Sequence, residues 1–420
     1  MRIRCMAFAD QLAPESAAPR RWLSIVGIGE DGVDGLTPTA RGLISAAEIV
    51  FGGKRHLALA GALIRGAARP WPSPFERAVD EVIAYRGRPV CVLASGDPYQ
   101  YGVGSLLARR VDPAETVVIP APSAFSLAAA RLGWPLPEVA QVSLHGRAID
   151  RIRPHLQPGA KVLALTSDAD GPTTLAKLLT ASGFGDSKIT ILETLGGPRE
   201  RVRTAPAATF DLGGIDPLNV VAIEVAAGAN ARVLARAPGL ADELYEHDGQ
   251  LTKREIRAIT LSALAPSRHE LLWDIGAGAG SVAIEWMLAD PSLAAIAVEA
   301  RADRAARIRR NAAAFGVPEL EVIEGIAPAA VHGLPQPDAV FIGGGASDAG
   351  VIEVAIAALR TGGRLVINAI TLESEALLLA RHASLGGSLT RIAISRAEPV
   401  GGMTGWRPAL PVTQWAWTKQ

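Results

Sequence analysis

Residues 272 to 286 read LWDIGAGAGSVAIEW, and the rest of the chain's second half is organised around them. Leu271 to Ile275 is a short apolar run that reads as a buried strand. Gly276, Gly278 and Gly280 follow at once, and Val282, Ile284, Trp286 and Met287 resume as a helix. A strand that turns sharply through glycines into a helix leaves backbone N–H groups facing a crevice at the sheet's carboxyl edge. Glycine lets a ligand lie directly against that backbone. The next strand, AAIAVEA, ends on Glu299, whose carboxylate is placed to accept both hydroxyls of a ribose.

Spacing separates the nucleotide-type ligands that suit this geometry. Dinucleotide sites favour G-x-G-x-x-G, with the third glycine packing the helix beneath a pyrophosphate. Here the pattern is D-x-G-x-G-x-G, led by Asp274, with Gly280 one residue early. That form resembles motif I of the class I S-adenosylmethionine methyltransferases. Dinucleotide binding, and a glycine turn that holds no ligand, stay open as alternatives.

A length of 420 residues predicts two or three domains. Lys and Arg total 42 and Asp and Glu total 42, so no net charge favours nucleic acid or an anionic membrane surface. No apolar run approaches the length of a membrane span. Residues 1–20 lack a continuous apolar core, which argues against a signal peptide and for a flexible extension. Cys5 and Cys91 alone support neither a disulfide framework nor a cysteine-based zinc site, which favours a reducing cytoplasm. The seven histidines are scattered without an H-x-x-x-H pair, so no metal is expected.

From the N-terminus, WLSIVGI (22–28) is a compact strand, and Thr37-Pro38 caps and opens a helix. Val90 to Ala94 is a second buried strand, broken by Ser95-Gly96-Asp97-Pro98. TVVIPAPSAFSLAAARLGWP repeats the design of strand, Pro-framed turn and helix. Beyond Pro135 the segments AKVLALTSD, SKITILETLGG and NVVAIEVA are rich in β-formers, so two α/β lobes are expected to meet near residue 130. The run AAGANARVLARAPGLADELYEHDGQ reads as a linker, which places a boundary near residue 236. After it LTKREIRAITLSAL predicts a helix with Thr252 as its N-cap. Strand and helix then alternate to two late strands, as in a doubly wound sheet with an antiparallel edge. The expected organisation is a flexible extension at 1–20, one α/β domain of two lobes at 21–235, and a doubly wound α/β domain at 236–420.

Both halves resemble known families. VGIGEDGVDGLT, SGDPYQYGVGS and PAPSAFSLAAARLGWP are similar to the three signatures of the tetrapyrrole (class III) methyltransferases. LTKREIRA, DIGAGAGS, VEA, EGIAP and FIGGG resemble the class I methyltransferase that acts late in corrin synthesis. The fusion, in this order, resembles the decarboxylating precorrin-6B (precorrin-6Y) C(5),C(15)-methyltransferase family of cobalamin biosynthesis, over roughly residues 21 to 420. The resemblance implies two S-adenosylmethionine sites per chain, no metal and a tetrapyrrole substrate. It also implies methylation at carbons 5 and 15, loss of the ring C acetate carboxyl as carbon dioxide, and precorrin-8X as the product. A homo-oligomer is expected, because methyltransferases of both classes tend to associate.

The motifs carry site residues with them. Gly276, Ala277, Gly278, Ala279 and Gly280 would line the methionine moiety, Glu299 would hold the ribose, and Ala327 would meet the adenine. Thr252 would close over the methionine end. In the first half Gly96 and Asp97 would approach a second donor, with Ser123 and Ala124 across the cleft from them. Gly27 and Gly29 would shape a mouth facing the tetrapyrrole, although Glu30-Asp31 stands where many relatives have Pro-Gly. Lys253, Arg254 and Arg407 are candidates to pair with the substrate's carboxylates. Plainer roles exist: Asp97 as a turn former, Asp274 as a bond to loop amides, and Thr252 as a cap alone. The catalytic residues are not legible. The competing readings are a methyltransferase of another tetrapyrrole, a nucleotide-dependent oxidoreductase using the 276–280 loop, and a two-domain binding protein with a dead methyltransferase half.

Overall fold

The computed structural model describes residues 21–420, and the expected extension at 1–20 lies outside them. The chain separates into two compact units. One holds the chain through His145 with Lys161–Thr180 and Ser187–Glu224, and the other holds Gly146–Ala160, Ala181–Asp186 and Val225–Gln420.

The first unit contains two five-stranded sheets. In chain order its first lobe runs β1 (Leu23–Ile28), α1 (Pro38–Ala46), β2 (Ile49–Gly52), α2 (Lys54–Ala60), β3 (Ala67–Pro70), α3 (Ala78–Ile83), β4 (Val90–Ser95), α4 (Gly104–Leu107) and β5 (Thr116–Ile119). These strands lie in the order β3-β2-β4-β1-β5, every neighbouring pair parallel. A parallel sheet is covered on both faces, which is why β1 and β4 are near-continuous apolar runs. Two apolar layers enclose it, one around Leu23, Phe51 and Val92, the other around Val26, Ile44 and Leu93. Thr37 caps α1 as expected, its hydroxyl accepting the Ala40 N–H.

The second lobe runs α5 (Ala124–Leu132), β6 (Val139–Ser143), β7 (Lys161–Leu165), α6 (Gly171–Ala181), β8 (Lys188–Glu193), β9 (Arg201–Pro206) and β10 (Asn219–Glu224). Its sheet order is β6-β7-β10-β8-β9, with only the β6–β7 pair parallel. Phe125, Ala128 and Ala129 of α5 pack with Leu163, Leu192 and Val220, so this lobe's core begins at α5. Edge strand β9 is mostly exposed and charged. Its Arg201 and Arg203 both reach buried Glu193 on β8.

The second unit holds α7 (Arg254–Leu264), β11 (Leu271–Ile275), α8 (Ser281–Ala289), β12 (Ala294–Glu299), α9 (Ala302–Phe315), β13 (Glu321–Glu324), β14 (Ala339–Ile342), α10 (Val351–Ala358), β15 (Arg364–Ala369), α11 (Leu372–Leu385), β16 (Ser388–Ile392), β17 (Ser395–Val400), β18 (Met403–Pro408) and β19 (Val412–Thr418). Seven strands form one sheet in the order β13-β12-β11-β14-β15-β19-β16. The first five are parallel, and β19 enters antiparallel between β15 and β16. This is the doubly wound sheet with an antiparallel edge. β17 and β18 form a separate antiparallel ribbon turned by Gly401-Gly402.

Two local readings change. Thr252 is not the N-cap of α7: the helix starts at Arg254 and Lys253 holds the cap position without a side-chain bond. The run read as a linker is not a free connector. Leu234, Leu240 and Tyr245 are buried in the core of the second unit, and Tyr245 stacks on Phe315 with ring centroids 4.3 Å apart.

Candidate functional site

In the second unit the parallel strands end on a cleft of about 610 Å³, within the size range of small-molecule sites. Gly276, Gly278 and Gly280 all adopt left-handed backbone, at φ 70°, 61° and 78°. Their surroundings differ. A Cβ on Gly276 would meet the Gly344 carbonyl at 2.6 Å, and one on Gly278 would sit 3.0 Å from the Gln250 carbonyl. One on Gly280 would strike Ile308 of α9 at 2.7 Å. Gly276, Ala277 and Gly278 line the cleft. Ala279 and Gly280 do not: Ala279 is fully buried, and Gly280 permits close packing of the loop on α9. Of the five residues expected to line a ligand, three line this cleft and two pack behind it.

Glu299 lines the cleft at the tip of β12. The Gly278 N–H donates to its Oε2 at 2.9 Å and the Arg301 N–H to its Oε1 at 3.0 Å. Two backbone donors hold the buried carboxylate in one orientation and leave lone pairs for a ligand. Behind it Asp274 accepts the Ala283 N–H at 3.1 Å through Oδ2, while its buried Oδ1 has no partner. Burial, with the Glu299 charge adding to it, pushes the Asp274 carboxyl up to about 7. The folded state thus keeps a proton that the unfolded chain releases near the ordinary value of 3.8. The associated stability is complete below that value and is lost as pH rises to about 7. Urea unfolding of wild type should show a slope approaching ~1.4 kcal/mol per pH unit inside this window. Asp274→Asn should remove this component of the slope, and an unchanged slope would refute the assignment.

Residues 249–253 cross the cleft beside Gly278, and Thr252 and Lys253 both line it. Ala327 lines it after β13. Arg254 and Arg407 are not brought to it: Arg254 packs beside Gly239, and exposed Arg407 pairs with Glu398 at 2.8 Å on the ribbon. The ribbon's contribution is Arg396, the register partner of Arg407, which pairs with Glu255 on the cleft wall. Arg304 also lines the cleft and pairs with Asp248 at 2.9 Å. Lys253 is the lining cation that has no carboxylate partner among the described residues. The Gly-Gly turn at 401–402 was the sequence signal for the hairpin that selects Arg396. Asn368 lines the cleft too, bonded to Thr260 and Gln414, and nothing in its local sequence marks it.

In the first unit β4, β1 and β5 are adjacent strands, and the segments that follow β1, β4 and β5 meet. The Gly96 N–H donates to the Ile28 carbonyl, and the Ala121 N–H to the Gly96 carbonyl, each at 3.2 Å. A Cβ on Gly27 would lie 1.9 Å from the Gly96 carbonyl, so Gly27 is buried as a backbone crossing and does not line a mouth. Gly29 is half-buried against the Asp31 carboxylate. Gly96, at φ 54°, meets Pro122 and Ser123, which brings the two expected walls together. Ser123 caps α5 through the Ser126 N–H, Ala124 begins that helix, and Asp97 accepts the Tyr99 N–H in a tight turn. Sequence reasoning missed a neighbouring polar cluster of Glu30, Arg55, His56 and Ser95.

Among the described residues no three His, Cys, Asp or Glu side chains converge as a metal site, and no helix is long and apolar enough to cross a membrane. Residues 23–211 match the tetrapyrrole (corrin/porphyrin) methylases, and residues 243–419 match the precorrin methyltransferase domain. The chain is 62% identical to a precorrin-6Y C(5,15)-methyltransferase [decarboxylating] of a Sinorhizobium species, over 98% of this chain and 100% of the relative. It is 40% identical to the protein of the same description from Mycobacterium tuberculosis, over 94% of this chain and 99% of that one. Among solved structures, the C-terminal domain of precorrin-6Y C5,15-methyltransferase from Rhodobacter capsulatus is 49% identical. It covers 44% of this chain and 100% of its own, with a TM-score of 0.43.

Proposed function

The chain belongs to the decarboxylating precorrin-6Y C(5,15)-methyltransferases, S-adenosylmethionine-dependent enzymes of tetrapyrroles, and from that premise we propose a division of labour between its halves. Residues 21–235 methylate carbon 5 of precorrin-6B, and residues 236–420 methylate carbon 15 and remove the ring C acetate carboxyl, giving precorrin-8X. Each half has its own S-adenosylmethionine site, no metal takes part, and the enzyme works as a cytoplasmic homo-oligomer.

One observation carries the reading of the second site: the Gly276–Gly278 cradle ends on a buried carboxylate that the Gly278 N–H itself orients. Glycines remove side chains where a nucleoside approaches, and Glu299 offers acceptors for vicinal hydroxyls. S-adenosylmethionine supplies an electrophilic methyl group on a sulfonium. The protein's task is to align that methyl with the receiving carbon, and alignment is worth several orders of magnitude in rate. Residues 249–252 and Ala327 line the site. Lys253, without a carboxylate partner among the described residues, is placed to receive a substrate carboxylate. In the first unit Gly96, Asp97, Ser123 and Ala124 hold the second donor, and Gly29 lies at the substrate side. Decarboxylation leaves an electron pair that the conjugated macrocycle accepts.

Incubation with S-adenosylmethionine and precorrin-6B, read by mass spectrometry, tests this function. The expected product has gained two methyl groups and lost one carboxyl group. One methyl gained, or a retained carboxyl, would refute the division. Glu299→Ala should weaken S-adenosylmethionine binding at one of two calorimetric sites by about 1–3 kcal/mol, the worth of charged hydrogen bonds. Two unchanged sites would remove Glu299 from the ribose.

A further inference from the structure

The cleft of the second unit has two sides, and the methyl donor accounts for one of them. From β11 the chain places β12 and β13 outward in one direction, then returns to set β14 and β15 on the other side of β11. This reversal opens a crevice between β11 and β14 at the strands' carboxyl ends. Gly276, Gly278, Glu299 and Ala327 all stand at strand ends on the β11–β13 side. Four strand spacings, about 19 Å, separate β13 from β15. Side chains at the β15 end are therefore remote from the ribose and adenine positions.

That second side has a different chemistry. Ile256, Ile394 and Val412 line it and pack with Ile392 as a small apolar cluster. Ile370 and Leu410 line the cleft with them, yet are 60% and 72% exposed. Both stand at one strand edge: Ile370 directly follows Ala369, whose register partner Thr413 lies three residues past Leu410. The Ala409 N–H donates to the Ile394 carbonyl at 2.9 Å, which fixes the segment that carries Leu410. Scattered single exposed apolar side chains are ordinary on a surface. Two large ones that extend an apolar cluster on the wall of a cleft form a surface suited to a ligand. Lys253 holds the cap position of α7, one turn before Ile256, so this cation borders the same wall. Arg396 and Glu255 also line it and neutralise each other.

The donor does not suit this wall, being a polar cation whose anchors lie on the other side. A tetrapyrrole suits it, because the conjugated macrocycle is apolar on its faces and carries carboxylates on chains at its edge. Covering the isoleucine and leucine with such a face releases water from both, and an edge carboxylate meets an ammonium group. Resting on the reading that the second unit methylates carbon 15, we propose that Ile370 and Leu410 carry one face of the macrocycle. Lys253 holds an edge carboxylate, and the receiving carbon is thereby set beside the donor's methyl group. Ile370 and Leu410 are positioning residues that act on substrate affinity. A flat apolar contact is made equally in the ground state and the transition state, so it lowers KM and leaves kcat alone.

Steady-state kinetics of the full chain carrying Ile370→Ser, Leu410→Ser or both tests this, with methylation at carbons 5 and 15 read separately by mass spectrometry. Each single change should raise the KM for precorrin-6B at carbon 15 about tenfold, the worth of covering one such side chain. The double change should raise it about 100-fold, with kcat, carbon 5 methylation and S-adenosylmethionine affinity at wild-type values. Both side chains are exposed, and an unchanged urea midpoint checks that the variants fold. Ile326→Ser supplies the contrast: Ile326 lines the cleft at the β13 end, 68% exposed. It should weaken S-adenosylmethionine binding and leave the tetrapyrrole KM unchanged. Wild-type KM in the double variant would overturn the proposal, as would weaker S-adenosylmethionine binding in place of the KM effect. A smaller oligomer with unchanged KM would assign the two residues to a contact between copies of the chain and overturn it equally. A wild-type chain that leaves carbon 15 unmethylated would overturn the functional reading, and this proposal with it.

Discussion

Gly276→Ala should slow methylation at carbon 15 by about 100-fold and leave methylation at carbon 5 at its wild-type rate. Gly276 sits at φ 70°, where a Cβ alone costs an L-residue about 1–2 kcal/mol. The added atom would also lie 2.6 Å from the Gly344 carbonyl and 2.9 Å from the Gly344 Cα and N. All three are backbone, so no side-chain rotation relieves the contact. Nor can the 343–345 turn move away freely, because the Gly343 N–H donates to the Ile275 carbonyl at 3.0 Å. The loop that must yield is therefore 276–278, the one that lines the cleft and carries the N–H that orients Glu299. Displacing donor and acceptor by about 1 Å costs on the order of 100-fold in rate. Mass spectrometry should find a product with one methyl gained. Equal loss of both methylations would sink the assignment of carbon 15 to this cleft, as would full retention of methylation at carbon 15.

The parts of the molecule legible in the sequence are those set by short-range rules. β4 and β14 are near-continuous apolar runs because both faces of a parallel sheet are covered, and Thr37-Pro38 states its helix start in two residues. Glu299 could be placed at a strand tip because the strand itself was unmistakable. What escaped depends on side-chain direction and on contacts distant in sequence. Arg407 and Arg396 are opposite each other on one ribbon and share a face, and only the placement of the two strands against the cleft decides which lines it. Gly27 looks like an open glycine loop until the Gly96 carbonyl is seen to occupy its missing Cβ. The 226–250 run is rich in small and polar residues, yet Leu234, Leu240 and Tyr245 anchor it in a core built from residues between Leu261 and Val366. His56 and Ser95 are separated by 39 residues, and their meeting rests on β2 and β4 being neighbours in the sheet.

That anchoring leads to the largest stability effect expected in the second unit, from Glu285→Ala. α8 is apolar on nearly every side, and Glu285 is the charged residue in its buried interior. Its carboxylate accepts the Gly239 and Leu240 N–H groups at 2.6 and 3.0 Å, the Tyr245 hydroxyl at 2.9 Å and Arg257 Nε at 2.6 Å. Arg257, wholly buried on α7, also donates to the Leu240 and Thr252 carbonyls and pairs with Asp242 at 3.1 Å. One carboxylate and one guanidinium thus tie residues 239–252 to two helices. Removing the carboxylate leaves a buried cation short of its main partner and two buried N–H groups without acceptors. Breaking such a pair costs about 3–5 kcal/mol. The urea midpoint of the second unit should drop accordingly, with much of the protein unfolded at physiological temperature. The double change Arg257→Met with Glu285→Leu should recover part of the loss, since matched apolar groups carry no unpaired charge. Arg257 also holds the Thr252 carbonyl, so the rescued variant should bind S-adenosylmethionine more weakly at one site even where it is folded. Rescued stability with unchanged binding would show that residues 249–253 reach the cleft without this anchor.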